Sequence, residues 1–323
     1  MKSMRLIDGG QPPRLAEAMM PRPQPKDGEV LIHVSAAGIT STEVLWYPTS
    51  HTKDGAERDG AVLSHEFSGK VAELGKGVSG LAEGDEIYGM NDWFADGALA
   101  EFCITRPEWI APKPRRLSDA EAASVPIGAL TAWQGLLIRA GLKDGERVLI
   151  HGAAGAVGIF AVQLAWLHGA YVIATASARD MEFVKDLGAQ EVLDYRARPF
   201  EQQVRDIDVV FDAVGGDTLR RSWSVLKTSG RLVTIVSPDP ASTDKRDQAA
   251  FFIVEPDHQQ LVEVAKLLDK GQLRTVVGPP IPLALAAEAY SGSLQKKQRG
   301  KVVVSIAESN TDDPRTAQAG SQS

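Results

Sequence analysis

The sequence predicts an α/β protein of two lobes, a β-rich lobe followed by a doubly wound parallel sheet with helices between its strands. Three observations carry that class. Residues 1–118 read as short apolar runs separated by Gly, Asp and Pro; from about Asp119 helical and strand-like segments alternate; and the turn "HGAAGAVG", His151 to Gly158, stands at the first strand-to-helix junction of that second part. Period-two apolar spacing between turn residues marks half-buried strands, whereas repeated strand–helix–strand units require a parallel sheet.

In order along the chain, "GEVLIHVSAAGI", "EFSGKVAELGKGV", "GDEIYGM" and "ALAEFCITRPEWIAPKP" supply the strands of the first domain, 1–118. "DAEAASVPIGALTAWQGLLIRAG" predicts one helix ending at Gly141, and "ERVLIHG" is a continuous apolar run of the kind buried in a parallel sheet. "AVGIFAVQLAWLHG" is a helix closed by Gly169, followed by the strand "YVIATA", the helix "RDMEFVKDLGA" and the strand "EVLDY". "DVVFDAVGG", "DTLRRSWSVLKTSG" and "RLVTIV" repeat the unit, so the second domain is expected over 119–254. The loop "SPDPASTDKRDQ" leads to "FFIVEP", and the helix "HQQLVEVAKLLDKG" and closing strand "GKVVVSI" of 255–307 could add to either lobe. The tail, 308–323, is polar and aperiodic and is expected to be disordered, because it cannot bury enough apolar area to offset its ordering entropy.

Composition narrows the function. A chain of 323 residues that is 43 % hydrophobic is long enough for two domains. A net charge of −7, with acids and bases intermixed, lacks the footprint of a nucleic-acid binder. The single cysteine, Cys103, permits neither an internal disulfide nor a thiolate cluster and suits a reducing cytoplasm. The N-terminus "MKSMRLIDGGQPP" has no signal-peptide core, and no stretch approaches the roughly 18 apolar residues of a membrane helix, so a soluble protein with no membrane partner is expected.

The turn has the context that a dinucleotide fingerprint demands, a strand before it and a helix after it. In the G-x-G-x-x-G register its positions fall on Ala153, Gly155 and Gly158, with alanine replacing the first glycine. Gly155 would let backbone N–H groups approach a pyrophosphate, Gly158 would let the helix pack on the strand, and the helix N-terminus adds about half a positive charge. Gly152 and Ala154 complete the expected cradle. The next strand bears on which dinucleotide binds. Where an NAD site carries Asp or Glu, "ATASARD" presents Ser177, with Arg179 two residues on. A carboxylate that would repel a 2′-phosphate is absent from that place and a guanidinium that could pair with one is at hand. Asp180 is expected to open the following helix. These residues point to NADP(H).

The order of "PIGALTAWQGL", "VLIHGAAGAVGIFAVQLA", "LGAQEVLDY", "DVVFDAVGG", "GRLVTI" and a late "GKVVV" after a β-rich lobe resembles the zinc-independent quinone oxidoreductases of the medium-chain dehydrogenase/reductase superfamily. That resemblance implies a GroES-like catalytic lobe, a Rossmann cofactor lobe, a cleft between them, a C-terminal return to the catalytic lobe and a homodimer. It further implies that Thr131 contacts the nicotinamide ribose side and that Ala156 and Val157 offer N–H groups to the pyrophosphate. Ser177, Arg179 and Tyr195 would surround the adenosine 2′-phosphate, Val214 and Gly215 the ribose. Phe252 and Val254 would hold the carboxamide through main-chain atoms, and Lys301 would also bind cofactor.

"GITSTE" and "SHEFSG" resemble the segments that hold catalytic zinc in alcohol dehydrogenases, but Thr40 replaces the ligand cysteine while His65 and Glu66 remain. Three protein ligands are needed for such a zinc, so none is expected. Thr42, Glu43, Trp46, Tyr47, Asn91, Trp93 and Phe94 are expected around the same cleft, whose aromatic rings suit a flat conjugated substrate or simply belong to the core. The quinone oxidoreductase pattern has Asn where Thr40 stands and Tyr where Leu45 stands. The resulting expectation is an NADPH-dependent reductase of quinones or α,β-unsaturated carbonyls, with Thr40, Tyr47 or His65 as hydrogen-bond donor to the acceptor oxygen. A zinc alcohol dehydrogenase and a non-catalytic NADPH sensor are the competing readings.

Overall fold

The computed structural model describes residues 1–8, 14–237, 244–291, 294 and 299–306. The expected disordered tail lies outside them. In the first lobe β1 (Lys2–Asp8) and β2 (Arg14–Met19) form an antiparallel hairpin. A larger sheet contains β3 (Val30–Gly38), β4 (Glu66–Leu74), β5 (Glu86–Met90), β6 (Phe102–Thr105) and β7 (Ile110–Pro112), with β3, β4, β5 and β7 successive neighbours and β6 paired to β3.

The second lobe is built on β8 (Arg147–His151), β9 (Tyr171–Ala176), β10 (Glu191–Asp194), β11 (Ile207–Asp212) and β12 (Leu226–Thr234). All are parallel, in the order β10-β9-β8-β11-β12, so the winding reverses between β8 and β11 and a crevice opens at their C-terminal ends. The chain then returns to the first sheet: β13 (Ile281–Pro282) pairs with β14 (Val303–Ser305), and β14 pairs antiparallel with β3. "FFIVEP" forms no full strand; Phe251 makes a single parallel bridge to Thr234, and the Gln134 amide clamps Glu255 through bonds of 2.8 and 3.1 Å.

Where the apolar pattern suggested one helix up to Gly141, the structure has two, Asp119–Ala123 and Pro126–Trp133, followed by a widened π turn over Gln134–Arg139. Ser118 and Glu121 close a capping box on the first. Pro126 stops its continuation, because proline has no N–H to give and its ring crowds the preceding turn. The new helix start leaves the Ile127 N–H outside the helical ladder, and it bonds the Glu66 carboxylate at 2.9 Å.

The lobes share one core. Tyr88, Met90 and Trp93 from the first pack with Leu130, Phe160, Phe211 and Leu261, and the Tyr88 hydroxyl and Trp93 indole donate to the Leu261 and Val254 carbonyls at 2.6 and 2.9 Å. The closest approach of helix Gly158–Leu167 to the turn before it is at Gly158, where a Cβ would lie 2.2 Å from the Gly152 carbonyl oxygen, against 3.2 Å for a Cβ on Gly155. Gly158→Ala is therefore expected to cost about 1–3 kcal/mol of stability, and Gly155→Ala less. Urea unfolding of both variants checks this; a Gly158→Ala protein as stable as wild type would contradict it.

Candidate cofactor groove and cleft

At the crevice between β8 and β11 lies a cavity of about 870 Å³, lined by Gly152, Ala154, Gly155, Ser177, Arg179, Tyr195 and Val214 among others. The left-handed conformation that the tight turn requires falls on Gly152, with φ of +73°, rather than on Ala153. The glycines of the turn are thus Gly152, Gly155 and Gly158, at three-residue spacing. Ala153 is buried, its N–H on the Thr175 carbonyl at 3.3 Å. Ala156 and Val157 lead into the helix start, where the Ile159 and Phe160 N–H groups already bond the Gly155 and Val157 carbonyls at 3.1 Å. On the other side of the crevice, the buried Asp212 carboxylate accepts from the N–H groups of Val214 and Gly215 at 3.0 to 3.1 Å and from the Thr234 hydroxyl at 2.8 Å, which fixes the turn that carries Val214.

At the end of β9, Ser177 donates to Asp180 at 2.7 Å and Arg179 reaches the same carboxylate oxygen at 3.2 Å. Asp180 does stand at the start of helix Met181–Asp186, but its side chain makes no capping bond. Its other oxygen takes Arg299 at 2.9 Å. Burial works to raise the Asp180 carboxyl, yet the bonds from Ser177, Arg299 and Arg179 hold it below the usual carboxylate range. Tyr195 stands opposite, half exposed at 52 %, with the Arg196 guanidinium 5.3 Å from its ring centroid. Sequence reasoning missed Arg196, although it adjoins Tyr195, and Arg299, for which no local pattern exists.

His151 forms the floor of the groove. Ser222 donates to the Thr218 carbonyl at 2.7 Å, so its oxygen accepts from His151 Nε2 at 3.0 Å, and Nδ1 then accepts from Thr175 at 3.1 Å. That is a neutral imidazole. Burial, aided by the charge of Arg221, pushes its pKa down to about 3.

Where the two lobes meet, the Lys301 ammonium, 6 % exposed, pairs with the Glu66 carboxylate, which has no exposure at all, and donates to Thr40 Oγ1 at 3.0 Å. Burial drives the Glu66 carboxyl upward and Lys301 opposes it. His65 lies between two acceptors, Nδ1 at 2.7 Å from the Glu43 carboxylate and Nε2 at 3.2 Å from the Ala95 carbonyl. Glu43 also accepts from the Ser64 N–H at 3.0 Å and from the Tyr290 hydroxyl; burial and then the Glu43 charge hold that phenol well above its ordinary range. The His65 ring packs on Trp93, which packs edge-on against Trp46. Trp93 is thus a core residue, and Asn91 is buried with its amide on the Asp96 and Ile104 carbonyls at 3.0 Å. Tyr47 is not brought into this cluster: it is 56 % exposed and stacks on His51. Thr131 is buried with its hydroxyl on the Ile127 carbonyl at 2.6 Å; Phe252 is buried, its N–H on the Thr234 carbonyl at 3.2 Å, and the Val254 carbonyl is taken by Trp93.

Comparison with known proteins agrees with the two-lobe architecture. Residues 26–115 match the alcohol dehydrogenase GroES-like domain and residues 187–304 the family described as zinc-binding dehydrogenase. A mitochondrial NAD(P)H oxidoreductase of Danio rerio is 31 % identical over 87 % of this chain and 84 % of its own. The solved quinone oxidoreductase from Coxiella burnetii superposes with a TM-score of 0.84 at 30 % identity, over 95 % of this chain and 99 % of that one. CurK enoyl reductase gives 0.82 at 30 % identity with the same coverage.

The neutral His151 makes stability depend on pH. Its folded pKa of about 3 lies below the roughly 6.5 of an unfolded histidine, so between those values the unfolded chain binds the extra proton. Stability is therefore fully present above about pH 6.5 and is lost as pH falls, by up to about 1.4 kcal/mol per unit from this residue. Urea unfolding between neutral and mildly acid pH should show a shallower decline for His151→Gln than for wild type; equal slopes would contradict the assignment.

Proposed function

Because the chain belongs to the quinone-oxidoreductase-like branch of the medium-chain dehydrogenase/reductase superfamily, we propose that it reduces quinones or α,β-unsaturated carbonyls with NADPH and without zinc. The observation that carries this reading is the Lys301–Glu66–Thr40 cluster. A catalytic zinc needs three protein ligands and an open position. Here Thr40 offers a neutral hydroxyl, His65 Nε2 faces a carbonyl, and a buried ammonium touches both Thr40 and Glu66, so the donor set does not fit the metal. Among the described residues no three His, Cys, Asp or Glu side chains gather as a metal site would.

The groove does fit a dinucleotide. Gly152, Gly155 and Gly158 present no side chain at three positions of the turn where a pyrophosphate would lie, and Ala154, Ala156 and Val157 between them are small. Ser177, Arg179 and Tyr195 flank the place of an adenosine 2′-phosphate, and Arg196 adds a second guanidinium on that wall. Thr131, Val214, Gly215, Phe252 and Val254 would bound the nicotinamide end. NADPH, when bound, supplies the hydride.

The chain's own part is orientation and charge. Thr40 accepts the Lys301 hydrogen bond on its oxygen, so its hydroxyl hydrogen is left to donate to the acceptor oxygen where negative charge develops. Lys301 acts through Thr40 rather than on the cofactor. His65, held at both nitrogens, shapes the wall, and Tyr47 stands at the rim. The reading includes a homodimer in a reducing compartment, the cytoplasm or, as for the Danio relative, the mitochondrion. No helix among the described residues is long and apolar enough to cross a membrane.

A panel of quinones, enones and primary alcohols, assayed with both nucleotides on wild type and Arg179→Ala, tests the reading. Quinones or enones should turn over with NADPH and alcohols hardly at all. A hydrogen bond to a charged group contributes roughly 1.5–3 kcal/mol, so Arg179→Ala should weaken NADPH by about tenfold to a hundredfold and NADH little. Robust alcohol oxidation without quinone or enone reduction would restore the zinc dehydrogenase reading. Tight NADPH binding with no turnover would favour the sensor.

A further inference from the structure

Asp180 is the first carboxylate after β9, one helical turn beyond the place from which an acid selects NAD by taking the ribose 2′-hydroxyl. It lines the groove, its side chain only 10 % exposed, and its two oxygens are divided between three donors. Ser177 and Arg179 share one oxygen, while Arg299 holds the other at 2.9 Å. Arg299 does not come from the cofactor lobe. It lies on the returning segment, two residues before Lys301, and its guanidinium also covers the Phe183 ring, 4.4 Å from the centroid.

We infer that Arg299 is a cofactor-specificity residue that acts through Asp180: by neutralising that carboxylate it releases Arg179 to a 2′-phosphate and withholds the carboxylate from an unphosphorylated ribose. The inference rests on the NADPH reading. Arg179, Asp180 and Arg299 together carry one positive charge, whereas without Arg299 the remaining pair is neutral. A 2′-phosphate carries about −1.5 to −2 charges at neutral pH, so this difference of one charge adds to, or is missing from, the attraction that Arg196 supplies on the same wall. The exposure and contacts of the two arginines fit the division of labour. The Arg179 side chain is 73 % exposed and bonds Asp180 through one nitrogen, free to turn outward; Arg299 is 44 % exposed and is packed on a ring as well as paired. With Arg299 gone, Arg179 is the cation left to satisfy a nearly buried carboxylate, and a phosphate has to compete for it.

The test is calorimetric titration of NADPH and NADH into the full-length wild type, Arg299→Ala, Arg299→Lys, Asp180→Asn and the double variant Asp180→Asn/Arg299→Ala. Arg299→Ala should weaken NADPH by about tenfold and leave NADH unchanged or tighter. Arg299→Lys should keep most of the NADPH affinity, because the charge stays. In the double variant NADPH binding should recover, since no carboxylate remains to neutralise. Equal losses for both nucleotides, no loss at all, or no recovery in the double variant would overturn the inference. If wild type prefers NADPH and Arg179→Ala abolishes the preference while Arg299→Ala leaves it intact, the NADPH reading stands and this inference falls. If wild type binds both nucleotides equally, both fall.

Discussion

A carboxylate without any access to water, Glu66, is the constraint on which the rest of the protein turns. A buried charge is tolerated only when it is paired and hydrogen-bonded, and removing one partner of such a pair typically costs about 3–5 kcal/mol. Glu66 sits on β4 of the first lobe, and its partners come from elsewhere: the Lys301 ammonium from the returning C-terminal segment and the Ile127 N–H from the helix that opens the second lobe. Three parts of the chain are therefore held at one point. Pro126 makes this possible, since without a helix break there Ile127 would have spent its N–H on the helical ladder.

The same point sets the chemistry proposed for the cleft. Lys301 brings a fixed positive charge into a site of low exposure, where charge interactions are stronger than in water. A divalent cation placed beside it would meet repulsion. Negative charge growing on a substrate oxygen would instead be met by the Thr40 hydroxyl that the ammonium polarises. One returning segment serves both this cluster and the arginine-bearing wall, since Arg299 reaches Asp180 and Lys301 reaches Glu66, and the two lobes share the core around Tyr88, Trp93 and Leu261.

Local features were legible in the sequence because their physics is local. The parallel strands announced themselves as apolar runs between helices, and the turn from His151 to Gly158 as a run of small residues between strand and helix. Its register did not, because which glycine adopts a left-handed conformation depends on the surrounding backbone; hence Ala153 was expected where Gly152 takes the turn. The break at Pro126 was hidden by an apolar pattern that runs through it. Long-range pairing left no trace at all: Lys301 meets Thr40 across 261 positions, and Arg299 meets Asp180 across 119. Trp93 could have lined a pocket or filled a core by composition alone, and only the shared core with Leu130 and Leu261 decided it.

In the proposed chemistry a buried ammonium, rather than a metal, provides the positive charge beside Thr40. Metal analysis of the purified protein, paired with NADPH-dependent quinone turnover before and after exhaustive chelation, tests it most directly. Far less than one equivalent of zinc per chain and turnover unchanged by the chelator are expected. A full equivalent of tightly held zinc, with turnover lost on its removal and regained on its return, would contradict it.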